Sequence, residues 1–209
     1  TTTRVTSELK WADEDNRFQI IQSIQADQAE AIGRALDYVV YHAINPKTGE
    51  PLTGFDALTA RAMQVTAGDD DITNVDNLAD QLNETYDING IAISRTWASR
   101  LRKIRVPATG MRYYPEIPLN LQVGTLDGIK AATSATVNGA KAKTPTHVLA
   151  IMGDFSLIKW GMVRDITSEI IPYGDPDQTG VDLKAHNQIA YRTEAMFSYA
   201  VIEPKAFAV

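Results

Sequence analysis

Residues spaced three and four apart run through Phe18, Ile21, Ile24, Gln28, Ile32, Ala35, Leu36, Val39 and Ala43. All but Gln28 are apolar, and that spacing places them on one face of a helix. It predicts a helix over 16–44. Asp13 or Asp15 can accept from free N–H groups at its start, and Glu14 suits the positive end of the dipole. Pro46 and Gly49 in "NPKTGEP" stop it. At ~1.5 Å per residue such a helix reaches roughly 40 Å. Gly33 in its middle costs about 1 kcal/mol relative to Ala. Two readings are open there, simple tolerance or the close approach of another backbone.

The next segments are shorter. "FDALTARAMQV" reads as a short helix or a half-ordered segment, and "AGDDDIT" as a loop. "VDNLADQLNETY" predicts a second helix, with Asp76 or Asn77 near its cap and Val75, Leu78, Ala79 and Leu82 inward. "GIAIS" is a short apolar run, hence a buried strand. "RTWASRLRKIR" turns helical again, with Trp97, Leu101 and Ile104 on one face. Residues 107–121 are loop-like, and "TLDGIKAATSATV" is a strand bent at Gly128. Asn138-Gly139 marks a tight turn, and "HVLAIMGDF" is a buried strand.

The period then changes from helical to two. In "LIKWGMVRDITSEII" one face carries Ile158, Trp160, Met162, Ile166 and Ile170, interrupted by Arg164. Lys159, Asp165, Thr167 and Glu169 stand opposite. After the polar loop "PYGDPDQTGVDLKAH", a second long alternation fills "NQIAYRTEAMFSYAV". There Ile189, Tyr191, Ala195, Phe197, Tyr199 and Val201 face one side, and Arg192, Glu194 and Ser198 the other. Helices come first and strands last, which makes the class α+β, with a mixed sheet in the middle of the chain.

Composition narrows the functional classes. The 209 residues are 44% apolar with mean hydropathy −0.20, enough for one large domain or two small ones. No run approaches the roughly 18 apolar residues a membrane helix needs. The opening "TTTRVTSELKW" resembles neither a signal peptide nor a natural start and reads as the cut edge of a larger protein. With no cysteine, disulfides, thiolate metal sites and cysteine nucleophiles are excluded. A net charge of −6 and a pI near 5.1 disfavour broad non-specific DNA binding, which needs a basic face.

The catalytic inventory is thin. His42, His147 and His186 show no ligand spacing, and His42 falls at a helix end, where a cation suits the dipole. "GDDDITNVDNLAD" lacks the Gly and the closing Glu of a calcium loop, so Asp69, Asp70 and Asp71 read as a solvated loop. Neither a Gly-x-Ser-x-Gly elbow nor a Gly-rich phosphate cradle occurs. Basic residues gather at Arg95, Arg100, Arg102, Lys103 and Arg105. They form a solvated face or meet an acidic surface on another copy, with nucleic acid the weaker third reading.

The order of these pieces carries a resemblance. A long helix ends in "LDYVVYHAINPKTGEP", a mixed region follows, and then come "MGDFSLIKWGMVRDITSEI", a loop, and "NQIAYRTEAMFSYAVIEPKAFAV". Asn187, Arg192, Glu194, Val201, Pro204, Ala206 and Phe207 stand in the closing pattern. The chain resembles the major capsid proteins of tailed bacteriophages and prophages, with the Hong Kong 97-type fold. The resemblance implies a P-domain with its spine helix over 1–63, an A-domain over 64–186, and a C-terminal strand over 187–209 shared between them. It implies a non-enzymatic shell subunit without cofactor or metal. Such subunits assemble with copies of themselves into pentamers and hexamers of an icosahedral shell that encloses DNA without reading its sequence. Scaffold, maturation protease and portal are the implied partners, with no membrane. The location implied is the virion capsid, after assembly in the bacterial host cytoplasm. The family's N-terminal arm and extended loop are expected to be largely absent here, so no cross-linking lysine is carried over. Arg192, Glu194, Arg100, Arg102 and Arg105 are the candidate interface or ion-pair residues. The alternatives are an encapsulin-like compartment and, in another class, a hydrolase or ligand-binding domain.

Overall fold

In chain order the elements are β1 (Thr2–Thr6), α1 (Ser7–Ala12), α2 (Ile20–His42), α3 (Leu58–Arg61), α4 (Asp71–Asn83), β2 (Gly90–Ser94) and α5 (Arg95–Leu101). There follow β3 (Thr125–Leu126), β4 (Ile129–Ser134), β5 (Ala150–Gly153), β6 (Ile158–Ile171), β7 (Gln188–Val201) and β8 (Phe207–Ala208). A computed structural model describes residues 1–12 and 19–209. By internal contacts the chain divides into one unit of residues 1–35 and 160–198 and another of 36–159 and 199–209.

The first unit is built on a three-stranded sheet in the order β1-β7-β6. β1 runs antiparallel to β7, from Thr2 opposite Arg192 to Thr6 opposite Gln188. The start of the chain is therefore a strand and a short helix, neither of which the sequence pattern predicts. Threonine and valine favour a pleated surface, but five residues without alternation leave no periodic trace. β7 keeps the predicted alternation: Ile189 and Tyr191 are buried, while Glu194 and Ser198 are exposed. β6 forms over the predicted stretch, yet most of it is open. Trp160, Val163, Ile166 and Ile170 are all exposed, so its apolar residues are not a half-buried face within this chain.

α2 ends two residues before the predicted limit, because Ala43 turns into the left-handed region at φ 51°. The proposed starting residues Asp13, Glu14, Asp15, Asn16 and Phe18 lie outside the described residues. A Cβ built on Gly33 meets nothing within 4 Å among the described residues, which selects tolerance over close backbone approach.

The second unit holds a five-stranded sheet, β3-β4-β2-β5-β8. β2 and β4 are parallel, and the other pairs are antiparallel. Alternate residues of its central strands enter two cores. Ile91, Ile93, Ala150 and Met152 join Leu82, Trp97 and Leu101 from α4 and α5. Ala92 and Ile151 join Leu58, Val137 and Phe207 on the other side. All five residues of β2 are buried because both faces are covered, which is why "GIAI" is apolar, while the buried Ser94 hydroxyl accepts from the Trp97 N–H at the start of α5.

Three local expectations shift. α4 begins at Asp71, and its cap is Asp70 rather than Asp76 or Asn77. The Asp70 carboxylate accepts from the Ile72 and Thr73 N–H groups at 3.3 Å and from the Thr73 hydroxyl at 2.6 Å. "TLDGIKAATSATV" is a hairpin and not one bent strand. Asp127 and Gly128 both take positive φ, 47° and 83°, as a tight two-residue turn requires. Asn138-Gly139 joins no strands. Gly139 sits at φ 60°, and a Cβ there would fall 3.1 Å from the His42 ring.

Candidate functional site

Polar side chains in the first unit tie distant segments of one sheet together. Arg4 projects from β1 into the 172–187 loop. It donates through Nε to Asp177 at 2.9 Å, through Nη2 to Asp175 at 2.5 Å, and through Nη1 to the Val181 carbonyl at 2.8 Å. The Arg4 hydrogen bond holds the Asp177 carboxyl below the usual carboxylate range, and the pair raises Arg4 in turn. About two turns into α2, Gln28 is buried. Its amide donates to Thr3 Oγ1 and to the Tyr191 carbonyl, each at 2.9 Å, while its oxygen accepts from Thr193 Oγ1 at 2.5 Å. Ser168 Oγ stands 3.0 Å from the same Thr193 oxygen, so β1, β6, β7 and α2 meet at one polar cluster.

Arg192 and Glu194 lie on the predicted shared face of β7, 3.7 Å apart. Arg192 also donates to Thr2 Oγ1 at 3.4 Å and to the Pro176 carbonyl, within its own chain. Glu194 is exposed.

In the second unit the basic stretch is not one uniform face. Arg100 donates through Nε to Asp71 at 2.9 Å, and a second bond joins Arg100 Nη2 to the same carboxylate. The Trp97 indole N–H donates to it too, at 2.8 Å. Arg105 Nη1 donates to the Arg102 and Ile104 carbonyls at 3.0 and 3.2 Å, turning back on its own backbone. Arg102 is half-buried and Arg105 exposed. Asp71 is thus a helix residue with three N–H donors, not part of a solvated loop.

A second buried polar cluster lies at the end of α2. Thr136 Oγ1 donates to Asp37 at 2.9 Å, and His42 Nε2 lies 2.9 Å from the Thr136 carbonyl. A carbonyl only accepts, so Nε2 carries the proton. Burial lowers the His42 pKa and raises that of Asp37. A neutral buried imidazole replaces the dipole-stabilised cation expected at this position. His147 lies in the loop before β5 at φ 56°, and His186 in a short 3-10 turn. The sequence brings neither near His42's role.

The arrangement joins strands, loops and helix ends. Among the described residues no group of three or more His, Asp or Glu side chains stands together to hold a metal. The signals that sequence reading passed over are single charged residues, Arg4 and Asp37, whose partners lie more than ninety residues away.

The sequence profile of the phage capsid family matches residues 3–209. No curated protein matches the chain. Among solved structures, a chain from Mycobacterium phage Ogopogo is 31% identical with a TM-score of 0.81, the match covering 100% of this chain and 73% of that one. A chain from Gordonia phage Cozz is 28% identical with a TM-score of 0.77, covering 100% and 67%. The capsid of an empty GTA particle computed with C5 symmetry contains a chain 12% identical, with a TM-score of 0.60 and coverage of 100% and 70%, a likeness of fold alone.

Proposed function

This chain belongs to the phage capsid family and is a structural subunit of a capsid shell; from that premise we propose that it assembles as pentamers and hexamers into an icosahedral shell enclosing DNA. The fold is α+β of the Hong Kong 97 type. The observation that carries the proposal is the reach of the family profile over 3–209, which takes in the helix, both long strands and the closing tail. Scaffold, maturation protease and portal are the proposed partners, and the host cytoplasm the proposed place of assembly. The proposal gives the chain a mechanical task and no catalytic step. Its residues hold sheet to helix and loop to strand, as a subunit that must keep its geometry while meeting identical copies requires.

With it goes the division into a P-domain over 1–63, an A-domain over 64–186 and a shared strand over 187–209. Supporting it, α4, β2, α5, β3, β4 and β5 all fall in one contact unit, while β1 and most of β7 fall in the other; β6, inside 64–186, falls mostly with β1. The domain limits follow the sequence pattern, whereas the contact units change at 35/36, 159/160 and 198/199. Of the candidate interface residues, Glu194 and Arg105 have exposed side chains, and Arg102 is half-buried. Arg100 and Arg192 are engaged inside the subunit.

The test is to express the whole gene product and view it by electron microscopy. Closed shells or regular capsomers are expected. A monodisperse monomer at high concentration would overturn the assembly reading.

A further inference from the structure

We propose that the outer edge of β6 and the face it shares with α2 form a docking surface for a second copy of this chain; the inference rests on the shell reading and adds the surface by which copies meet. β6 is the last strand in the order β1-β7-β6, so one side of a 14-residue strand has no partner strand among the described residues. Unpaired N–H and C=O groups on a long edge recruit another chain unless something covers them. Soluble proteins blunt such edges with proline, brevity, a bulge or charge, and of these β6 has charge, of both signs. β6 contains no proline and is one of the two longest strands of the chain.

Its side chains point the same way. Trp160 is 64% exposed, Ile166 49% and Ile170 46%. They share a side of the strand, since alternate residues do. That side is identified by Ser168, between Ile166 and Ile170, whose hydroxyl meets Thr193, which in turn donates to Gln28 of α2. The helix therefore covers β7 and leaves the β6 end of the same face open. Val163 on the other side is 68% exposed, so an apolar side chain stands open on each face of the edge. Arg164 and Ser168 interrupt the row, and exposed apolar groups gathered along one edge and rimmed by polar ones mark interaction sites.

Charge selects the occupant. β6 carries Lys159 and Arg164 against Asp165 and Glu169, two of each sign. A nucleic acid or an anionic membrane would call for one sign. A surface bearing both signs around an apolar centre is complementary to a surface of the same composition, and a shell supplies identical copies at high local concentration.

The test is made in the whole gene product. Trp160 is replaced by the photoreactive p-benzoylphenylalanine, and assembled shells are irradiated. Covalent dimers on a denaturing gel are expected, absent from irradiated unassembled subunits. Shells that form normally but give only adducts within one chain overturn the inference and leave the shell reading intact. Wild-type protein that forms no shells overturns the shell reading instead. The companion variant Ile166→Glu is expected to keep the melting temperature of the unassembled subunit and lose at least tenfold in shell yield. Wild-type yield from Ile166→Glu counts against the surface.

Discussion

The Trp97 indole N–H donates to the Asp71 carboxylate at 2.8 Å, pinning the first turn of α4 to α5. Trp97 is fully buried and Asp71 nearly so on its contact side, where Arg100 closes the group with two further N–H donors. Removing the acceptor leaves a buried indole N–H unsatisfied, which costs about 1–3 kcal/mol. Asp71→Ala is expected to destabilise the subunit by about that much in urea titration. Arg100→Ala removes a pair whose cation is half exposed, and its loss is expected to stay within ~1 kcal/mol.

Acid should act through His42. Its pKa is lowered by burial, so the stability it contributes is fully present above the unperturbed value of about 6.5 and is lost as pH falls through the folded value. Asp37 runs the other way. Its pKa is raised by burial, so its contribution is fully present below the unperturbed value of about 3.9 and is lost as pH rises through the folded value. Asp37→Asn keeps an oxygen for Thr136 Oγ1 and removes the buried charge. It is expected to raise the melting temperature at pH 7 to 8. His42→Gln is expected to flatten the fall in melting temperature below about pH 6.5. Melting curves across pH for the three proteins check both signs.

How much of this was legible in the sequence follows from range. α2, β2, β6 and β7 were readable because their patterns repeat over several residues. β1 was not, because "TTRVT" has no alternation and is ordered by its pairing with β7 almost the whole chain away. The Asp70 cap and the Asp127-Gly128 turn were written locally, but each competed with a plausible neighbour: a solvated acidic run and a glycine bend. Arg4, Asp37 and the exposure of β6 depend on what packs against them, and no local period encodes that. The closing tail was readable as a pattern and only the structure explains it, since β8 pairs with β5 and buries Phe207 completely.

That tail depends on Gly153. It has φ 157°, and a Cβ there would collide with the Ala206 carbonyl oxygen and come 2.9 Å from Phe207 Cα. Both obstacles include backbone, so relief requires β8 to move. Gly153→Ala is expected to cost about 1–3 kcal/mol, the usual range for overpacking. Phe207→Ala, which empties the site, is expected to cost about 3–5 kcal/mol. Chemical denaturation of the two variants checks the values.

Arg4 clamps the long loop, and its planar fork matters more than its charge. Lysine cannot reach Asp175, Asp177 and the Val181 carbonyl in separate directions at once. Arg4→Lys and Arg4→Ala are both expected to speed amide hydrogen exchange across 175–183. Retained protection in Arg4→Lys would show that charge alone suffices.

Arg192 and Glu194 stand on one strand face but are expected to separate under mutation. Arg192 holds Thr2 of β1 and the Pro176 carbonyl, so reversing its charge removes contacts internal to the subunit. Glu194 has an exposed side chain and a 3.7 Å approach to Arg192, a geometry that in solvent contributes at most a few tenths of a kcal/mol. Arg192→Glu is therefore expected to lower the melting temperature of the unassembled subunit. Glu194→Lys is expected to leave it unchanged and to act, if this face meets a neighbour, on shell yield alone. Equal loss of melting temperature in both variants would make the pair a structural ion pair of the subunit.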